Sequence, residues 1–263
     1  MTHDHHPLCI VGDRFGGFAA HDSVLTLGSF VRAVRGGRFD DTDKPVTLRL
    51  GQGIGEYEWD YLHAVLRTYG RDDRFHLPER PPLIVNRAEA HKHRAENVLI
   101  ADLARVGDDT YRAALRLHSD NEILLDHQTG EHVQGMVVIE AVRQMFLAVT
   151  ERHHIAHLPP RPYYFVIDSL ATDFENFLFP LPAEIHYRTR RADLDDRGRL
   201  GFAATVDIEQ AGRRAARSEV EFTAFDATFL HGVEHRRAAR ALAWRPDGRD
   251  SGRPERADVR AGV

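Results

Sequence analysis

The sequence predicts an α+β protein in which one long, buried helix is surrounded by five or six mostly antiparallel strands. The first observation is an apolar run from Met136 to Val149, whose only non-hydrophobic side chains are Glu140, Arg143 and Gln144. The second is a series of alternating, β-prone segments before and after that run, separated by turn residues. A helix that is apolar on nearly all sides is normally buried, so the strands are expected to wrap around it.

Length and composition describe one large soluble globular domain, or one domain with an accessory segment. The chain of 263 residues is 42% hydrophobic and 29% charged, and its net charge of −5 predicts no general attraction to nucleic acid or anionic membranes. The single cysteine, Cys9, excludes an internal disulfide and is typical of a reducing compartment. No apolar run reaches roughly 18 residues and the start lacks a signal-peptide pattern, so we expect a cytoplasmic protein without a membrane span.

Residues 1–80 are predicted to form a helix-rich N-terminal extension with short strands. Two strands and two helices are expected in this extension, at 8–11, 46–50, 22–34 and 56–69. The glycine cluster at 12–17 lacks the spacing of a dinucleotide fingerprint, so we expect no cofactor there.

Residues 85–245 are predicted to contain the sheet and the long helix. The helix is expected from about Gln134 to Arg152, because the prolines at 159–162 stop it. Six strands are expected, at 97–106, 110–117, 163–167, 184–191, 200–209 and 215–225. The tail, residues 246–263, is rich in Arg, Asp and Gly and is expected to be disordered.

The three polar residues of the long helix form one narrow face. At about 100° per residue, Glu140, Arg143 and Gln144 lie within roughly 100° of one another. Burying a carboxylate and a guanidinium costs several kcal/mol per ion unless they are paired, so this face requires an explanation. It is either a functional site or a structural ion pair between Glu140 and Arg143, which are three residues apart.

The sequence around this helix resembles the A-factor (γ-butyrolactone) biosynthesis hotdog family. The likeness rests on Asp126-His127, on the run from Glu131 to Gln144 with its His-Val-x-Gly-Met and Glu-Ala-x-Arg-Gln patterns, and on His91-Lys92-His93-Arg94 leading into Asn97. It covers roughly residues 85–228 and implies a hotdog fold. Many members carry two hotdog repeats, whereas this chain has one unit, and since hotdog sites generally lie between two units the resemblance implies a homodimer.

The resemblance implies catalytic roles for three residues. Glu140 occupies the helix position that holds the catalytic carboxylate in the more distant hotdog dehydratases, and burial is expected to raise its pKa for general acid–base work. His127 is expected to shuttle a proton near neutral pH, or alternatively to be a loop histidine tied to Asp126. Arg143 separates the butyrolactone family from the dehydratases and suits a phosphate or a thioester oxyanion through its planar fork.

Further residues are expected to support substrate binding. Asp126 would orient the loop, and His132 either contacts substrate or merely flanks the helix. Gly135 and Met136 begin the helix, where free N–H groups could hold an oxyanion, although Gly135 could equally serve close packing alone. Gln144 is expected to hydrogen-bond Glu140 or Arg143. The basic cluster His91-Lys92-His93-Arg94 is interpreted as a solvated loop, with contact to acyl-carrier-protein acids or a pantetheine phosphate as the alternative, and no metal site is expected.

The resemblance leaves three functions open. The first is transfer of a β-ketoacyl group from acyl carrier protein, or from a CoA thioester, to the hydroxyl of a phosphorylated acceptor such as dihydroxyacetone phosphate. The second is a dehydratase or thioesterase that acts on carrier-bound acyl chains, with His127 removing the α-proton and Glu140 protonating the leaving hydroxyl in the dehydratase case. The third is a non-catalytic acyl-binding protein, which would be expected to lack the polar face.

Overall fold

The N-terminal part of the chain is an α/β unit built on a parallel sheet. The computed structural model describes residues 7–40, 45–77, 80–126 and 130–244. The N-terminal unit, residues 7–77, has four strands in the order β2-β1-β3-β4, all parallel where they pair, and two helices. Its elements are β1 Leu8–Val11, β2 Val24–Thr26, α1 Leu27–Arg35, β3 Val46–Leu50, α2 Glu56–Thr68 and β4 Phe75–His76. The predicted helices and longer strands are present, but the parallel sheet that unites them was not predicted.

The first helix of this unit begins later than expected. The sequence placed a cap at Asp22 or Ser23, but Val24–Thr26 is a strand that pairs with β1. Thr26 is the N-cap, because its side-chain oxygen accepts a hydrogen bond from the backbone N–H of Ser29 at 3.2 Å. Pairing with a neighbouring strand therefore outweighed the capping preference of Asp22 and Ser23.

The rest of the chain forms one antiparallel sheet around a central helix, which confirms the predicted hotdog fold. The six strands lie in the order β5-β6-β8-β9-β10-β7, and every neighbouring pair is antiparallel. The elements are β5 Ile100–Arg105, β6 Thr110–Leu115, α3 Glu122–Asp126, α4 Gly135–Val149, β7 Tyr163–Phe174, β8 Ala183–Asp193, β9 Arg199–Gln210, β10 Arg213–Asp226 and α5 Ala227–Ala243. A π-helical segment, Thr150–Ile155, continues α4.

The central helix α4 is buried because alternate residues of the strands cover it. Ten of its fifteen residues are buried, and Phe146 stacks on Phe222 of β10 with ring centroids 4.2 Å apart. Phe222 in turn stacks on Phe202 of β9 at 5.0 Å. Burial of these rings, together with the aliphatic side chains around them, stabilises this core. The predicted buried helix is confirmed. Its polar face, Glu140, Arg143 and Gln144, points towards the loop that carries Lys92.

Strand β7 is one edge of the sheet, and β5 is the other. Strand β7 is twelve residues long, against the five predicted, and among the described strands it pairs only with β10. Three of its large hydrophobic side chains, Tyr164, Ile167 and Phe174, are exposed. A long edge strand with exposed apolar side chains is a surface that normally pairs with another chain.

The ends of the chain add little to the candidate site. Helix α5, which was not predicted, is capped by Asp226 and has no buried residue. None of the described helices has the length and hydrophobicity that crossing a membrane requires. The predicted disordered tail, residues 246–263, lies outside the described residues.

Candidate active site on the central helix

A charged cluster lies on one face of α4. Arg143 binds Glu140 in a bidentate manner, with Nε 2.8 Å from Oε2 and a terminal nitrogen 2.9 Å from Oε1. The ammonium of Lys92 lies 2.7 Å from Oε1 of the same carboxylate. The side chains of Glu140, Lys92 and Arg143 are 16%, 22% and 30% exposed, so the cluster is at the rim of the core, where a ligand can reach it.

Gln144 fixes the position of Glu140 through hydrogen bonds on the buried side of the cluster. Its amide nitrogen donates to Oε1 of Glu140 at 3.0 Å and to the carbonyl of Asn97 at 2.8 Å. Its oxygen accepts from the N–H of Leu99 at 2.8 Å, and the residue is fully buried. The predicted contact with Glu140 is therefore present, and Gln144 also ties α4 to the segment that enters β5.

Lys92 is the residue that sequence reasoning missed. The cluster His91–Arg94 was interpreted as a solvated loop, which is wrong for Lys92. His91 has a left-handed backbone (φ 51°), and its Nε2 lies 3.1 Å from Glu151 while its ring packs edge-on against Phe165 of β7. The loop therefore lies across α4 and delivers Lys92 to Glu140. Two signals in the sequence pointed to Lys92. The stretch around it resembles the family, and lysine is rare in this chain, which has only one other, Lys44.

The pKa of Glu140 moves in the direction opposite to the expected one. Burial raises the pKa of this carboxyl, but hydrogen bonds from Arg143, Lys92 and Gln144 outweigh burial and lower the pKa from 4.5 to about 2. The expectation of a raised pKa considered the apolar helix alone. With two cations in contact, Glu140 is a carboxylate throughout the neutral range.

A separate cleft opens at the N-terminal end of α4. It has a volume of about 500 Å³ and is lined mainly by apolar side chains together with His132 and Gly135. The ring of Phe174 lies so close to Gly135 that a Cβ added to this glycine would be 3.1 Å from the ring. His132 packs on Phe177 with ring centroids 4.9 Å apart. Gly135 thus combines close packing with a place at the helix N-terminus beside a cleft, and Met136 is exposed next to it.

The structure separates the predicted site residues into two groups. One group is Glu140, Arg143 and Gln144 with Lys92, and the other is His132 and Gly135 at the cleft. Gly135 and Glu140 are five residues apart, which corresponds to about 140° around a helix and about 7.5 Å along it. Glu140 therefore lies on a different side of α4 from Gly135, and it is not among the residues that line the cleft.

Two predicted residues are not characterised by this geometry. His127 lies outside the described residues, and only the backbone of Asp126, the last residue of α3, is described. In the part of the chain that the structure describes, no three His, Cys, Asp or Glu side chains are arranged to hold a metal ion.

Three solved structures are similar to this chain in part. A conserved protein of Pseudomonas aeruginosa is 15% identical over 54% of this chain and 100% of its own length, with a TM-score of 0.39. AziG of S. sahachiroi is 20% identical over 48% of this chain and 90% of its own, with a TM-score of 0.35. The dehydratase heterocomplex ApeI:P of Xenorhabdus doucetiae is 14% identical over 54% and 91%, with a TM-score of 0.43.

The family comparison is more specific than these structural likenesses. No curated protein matches the sequence. The family model AfsA, the A-factor biosynthesis hotdog domain, matches residues 76–226, a range that contains both the charged cluster and the cleft. With the antiparallel sheet around α4 and this match over more than half its length, the chain belongs to the A-factor biosynthesis hotdog domain family.

Proposed function

We propose that this protein is an acyl-thioester enzyme that transfers a β-ketoacyl group to the hydroxyl of a phosphorylated acceptor such as dihydroxyacetone phosphate. Its donor is an acyl carrier protein thioester or a CoA thioester. The proposal rests on family membership and on one observation, the contact of both Lys92 and Arg143 with the single carboxylate of Glu140.

The charge balance of the cluster favours an anionic acceptor. Two cations and one carboxylate carry a net charge of about +1, and all three side chains are partly accessible. The guanidinium fork of Arg143 and the ammonium of Lys92 can both donate to phosphate oxygens. A phosphorylated acceptor brings the negative charge that the cluster lacks, whereas a neutral acyl chain does not.

Binding of the acceptor would also activate Glu140. When phosphate oxygens accept the hydrogen bonds of Arg143 and Lys92, those donors are withdrawn from the carboxylate and its pKa rises from about 2 towards its usual range. Glu140 then takes the proton of the acceptor hydroxyl as its oxygen attacks the thioester carbonyl carbon. The C–S bond breaks, an ester forms, and the proton passes to the leaving thiolate.

Two further groups serve the thioester in this scheme. The N–H groups at the start of α4, beginning with Gly135, would stabilise the oxyanion that develops on the thioester carbonyl. The apolar cleft beside Gly135 would hold the acyl chain. His127 would assist proton transfer, as the resemblance implies.

A complete site would require two copies of the chain. Because the cleft and Glu140 lie on different sides of α4, we infer that the cleft of one protomer faces the charged cluster of its partner. The exposed edge strand β7 supports this arrangement, since it presents apolar side chains and lies next to the loop that carries Lys92 through the contact of His91 with Phe165. A homodimer joined along β7 would cover that edge.

The low pKa of Glu140 disfavours a dehydratase. Dehydration would require Glu140 to protonate a leaving hydroxyl, but a carboxyl with a pKa of about 2 carries no proton at neutral pH. A thioesterase would hydrolyse the donor without any acceptor and would leave the surplus cation without a role.

One product assay tests the proposal. The protein is incubated with β-ketoacyl and β-hydroxyacyl thioesters, with dihydroxyacetone phosphate, with unphosphorylated dihydroxyacetone, or with neither, and the products are followed by mass. Ester that forms only with the phosphorylated acceptor is the expected result. Formation of an enoyl product would identify a dehydratase instead. Free acid that forms at the same rate without any acceptor would identify a thioesterase.

A further inference from the structure

The glycine-rich strand ends of the N-terminal unit are packed against the hotdog unit. A Cβ added at Gly51 would lie 2.6 Å from the carbonyl oxygen of Pro180, and one at Gly53, which has φ +82°, would lie 2.8 Å from Oγ of Ser119. The carboxyl ends of parallel strands are the usual place for a ligand in an α/β fold. Here that place is filled by the neighbouring unit, so the glycines serve close contact between two backbones.

Gln52, between these glycines, bonds the two units together. Its side chain is 5% exposed, and its nitrogen donates to the carbonyls of Leu115 at 3.1 Å and Leu181 at 3.0 Å. Its oxygen accepts from the N–H of Leu117 at 2.7 Å. Every polar atom of the buried amide is thus used across the boundary, which makes the relative position of the two units well defined.

A second group of contacts reaches the segment that leads into α4. A Cβ added at Gly17 would overlap the carbonyl oxygen of Gly130 and lie 2.9 Å from its carbonyl carbon. His21 Nε2 lies 3.3 Å from a carboxylate oxygen of Glu131. Phe18, beside Gly17, stacks on Phe179 with centroids 5.7 Å apart. The N-terminal unit therefore touches both residues 130–131 and the segment between β7 and β8.

These two stretches form one wall of the cleft. The N–H of Val133 donates to the carbonyl of Leu178 at 2.6 Å, and His132 packs on Phe177. All four residues line the cleft beside Gly135. The N-terminal unit thus supports the wall from behind, through Gly17 on one stretch and through Phe18 on the other.

We propose that residues 7–77 are a positioning element for the active site. Gly17, Phe18 and His21 hold the segment 130–134, and with it the entry to α4 at Gly135, in the geometry that acyl transfer requires. The statement about transfer rests on the proposed function, whereas the statement about segment 130–134 does not. A reacting group displaced by about 1 Å costs on the order of a hundredfold in rate, so a rigid support of this kind has a direct catalytic consequence.

Neighbouring glycines provide a matched pair of variants. Gly16 and Gly17 both have right-handed backbones, with φ −58° and −60°, so alanine is compatible with either conformation. A Cβ at Gly16 finds its nearest atom at 3.7 Å, whereas a Cβ at Gly17 meets the backbone of Gly130. Only Gly17→Ala therefore pushes on segment 130–134.

The first measurement is independent of activity. Hydrogen exchange of the Val133 amide, which donates to Leu178, is compared in the wild-type protein, Gly16→Ala and Gly17→Ala. We expect faster exchange at residues 130–134 in Gly17→Ala alone. Unchanged exchange in Gly17→Ala would overturn the proposal.

The second measurement uses turnover per folded molecule. We expect Gly17→Ala to lower kcat by on the order of tenfold to a hundredfold with little change in the KM of the acceptor. His21→Glu, which faces Glu131 with like charge, should lower kcat more modestly, and His21→Glu/Glu131→Lys should restore it. Faster exchange with unchanged kcat would mean that the contact only stabilises the fold and would overturn the proposal. If the wild-type protein catalyses no transfer but Gly17→Ala still exchanges faster at residues 130–134, the positioning of that segment is supported and the proposed function is rejected.

Discussion

The ammonium of Lys92 lies 2.7 Å from the carboxylate of Glu140, although the two residues are far apart in the chain. This ion pair turns the expected Glu140–Arg143 pair into a cluster with one more cation than anion. Together with the hydrogen bonds from Arg143 and Gln144, it lowers the pKa of Glu140 to about 2, because hydrogen bonds to the ionised form exceed the effect of burial. Without substrate, the carboxylate of Glu140 thus occupies the two cations to which we propose that the acceptor phosphate binds.

Replacing Lys92 should weaken the binding of the phosphorylated acceptor. We expect Lys92→Met to raise the KM of dihydroxyacetone phosphate by about 10- to 100-fold, the value of one hydrogen bond to a charged group, and to leave the KM of the acyl thioester unchanged. Arg94→Met is the control, since Arg94 is 54% exposed and pairs with Glu96 and Glu122. Equal effects of the two variants would mean that Lys92 acts only through general surface charge.

Neutralising Glu140 should separate binding from turnover. In Glu140→Gln both cations lose their internal anion, so we expect inorganic phosphate to bind more tightly than to the wild-type protein. The transfer rate should fall by about 10²- to 10⁴-fold, as for loss of a general base. Calorimetric titration with phosphate measures the first effect, and Lys92→Met/Glu140→Gln should reverse it. Weaker phosphate binding by Glu140→Gln would contradict the anion site.

The low pKa of Glu140 predicts an acid-sensitive contribution to stability. The folded-state pKa of about 2 is below the ordinary value of 4.5, so the unfolded chain binds more protons between these values. The free energy of unfolding should therefore fall as the pH is lowered from about 4.5 to about 2, and this part of the fall should be absent in Glu140→Gln. Urea unfolding at several pH values measures it, with the exposed Glu122→Gln as control. Parallel curves for the wild-type protein and Glu140→Gln would show that the carboxylate is not held as described.

A charge on the exposed edge strand should prevent dimerisation. Ile167→Lys places an ammonium among the apolar side chains of β7, and we expect a monomer by sedimentation together with loss of transfer activity. Tyr57→Lys introduces the same charge at a more exposed side chain on α2, 79% against 41% for Ile167, and should leave a dimer. An active monomer of Ile167→Lys would contradict a site shared between protomers.

Mixing two inactive variants should restore activity if the site is shared. If His127 acts from the protomer that contributes the cleft and Glu140 from its partner, a dimer of Glu140→Gln with His127→Ala has one site that contains both replacements and one that contains neither. Random exchange makes half of the dimers mixed, with one intact site of two, so about a quarter of the wild-type rate is expected. Mass spectrometry verifies that mixed dimers have formed. If those dimers recover no activity, both residues belong to the site of the same protomer.

The sequence by itself determined the central helix and its polar face. An apolar run whose only polar residues are at 140, 143 and 144 predicts a buried helix with one charged side, because the periodicity of a helix is a local property. Alternating segments predicted the strands of the hotdog sheet, Gln144 was expected to contact either Glu140 or Arg143, and the residues around them identified the family.

Only the tertiary structure decided what surrounds that face. Lys92 meets Glu140 because the loop containing His91 lies across α4, and Gly17 meets Gly130 because a parallel sheet places the N-terminal glycines against the hotdog unit. Neither contact leaves a periodic signal, since both depend on how distant segments dock. The pKa of Glu140 also depends on how distant segments dock. Its helix alone predicted a raised pKa, and a cation from 48 positions earlier in the chain helped to lower it.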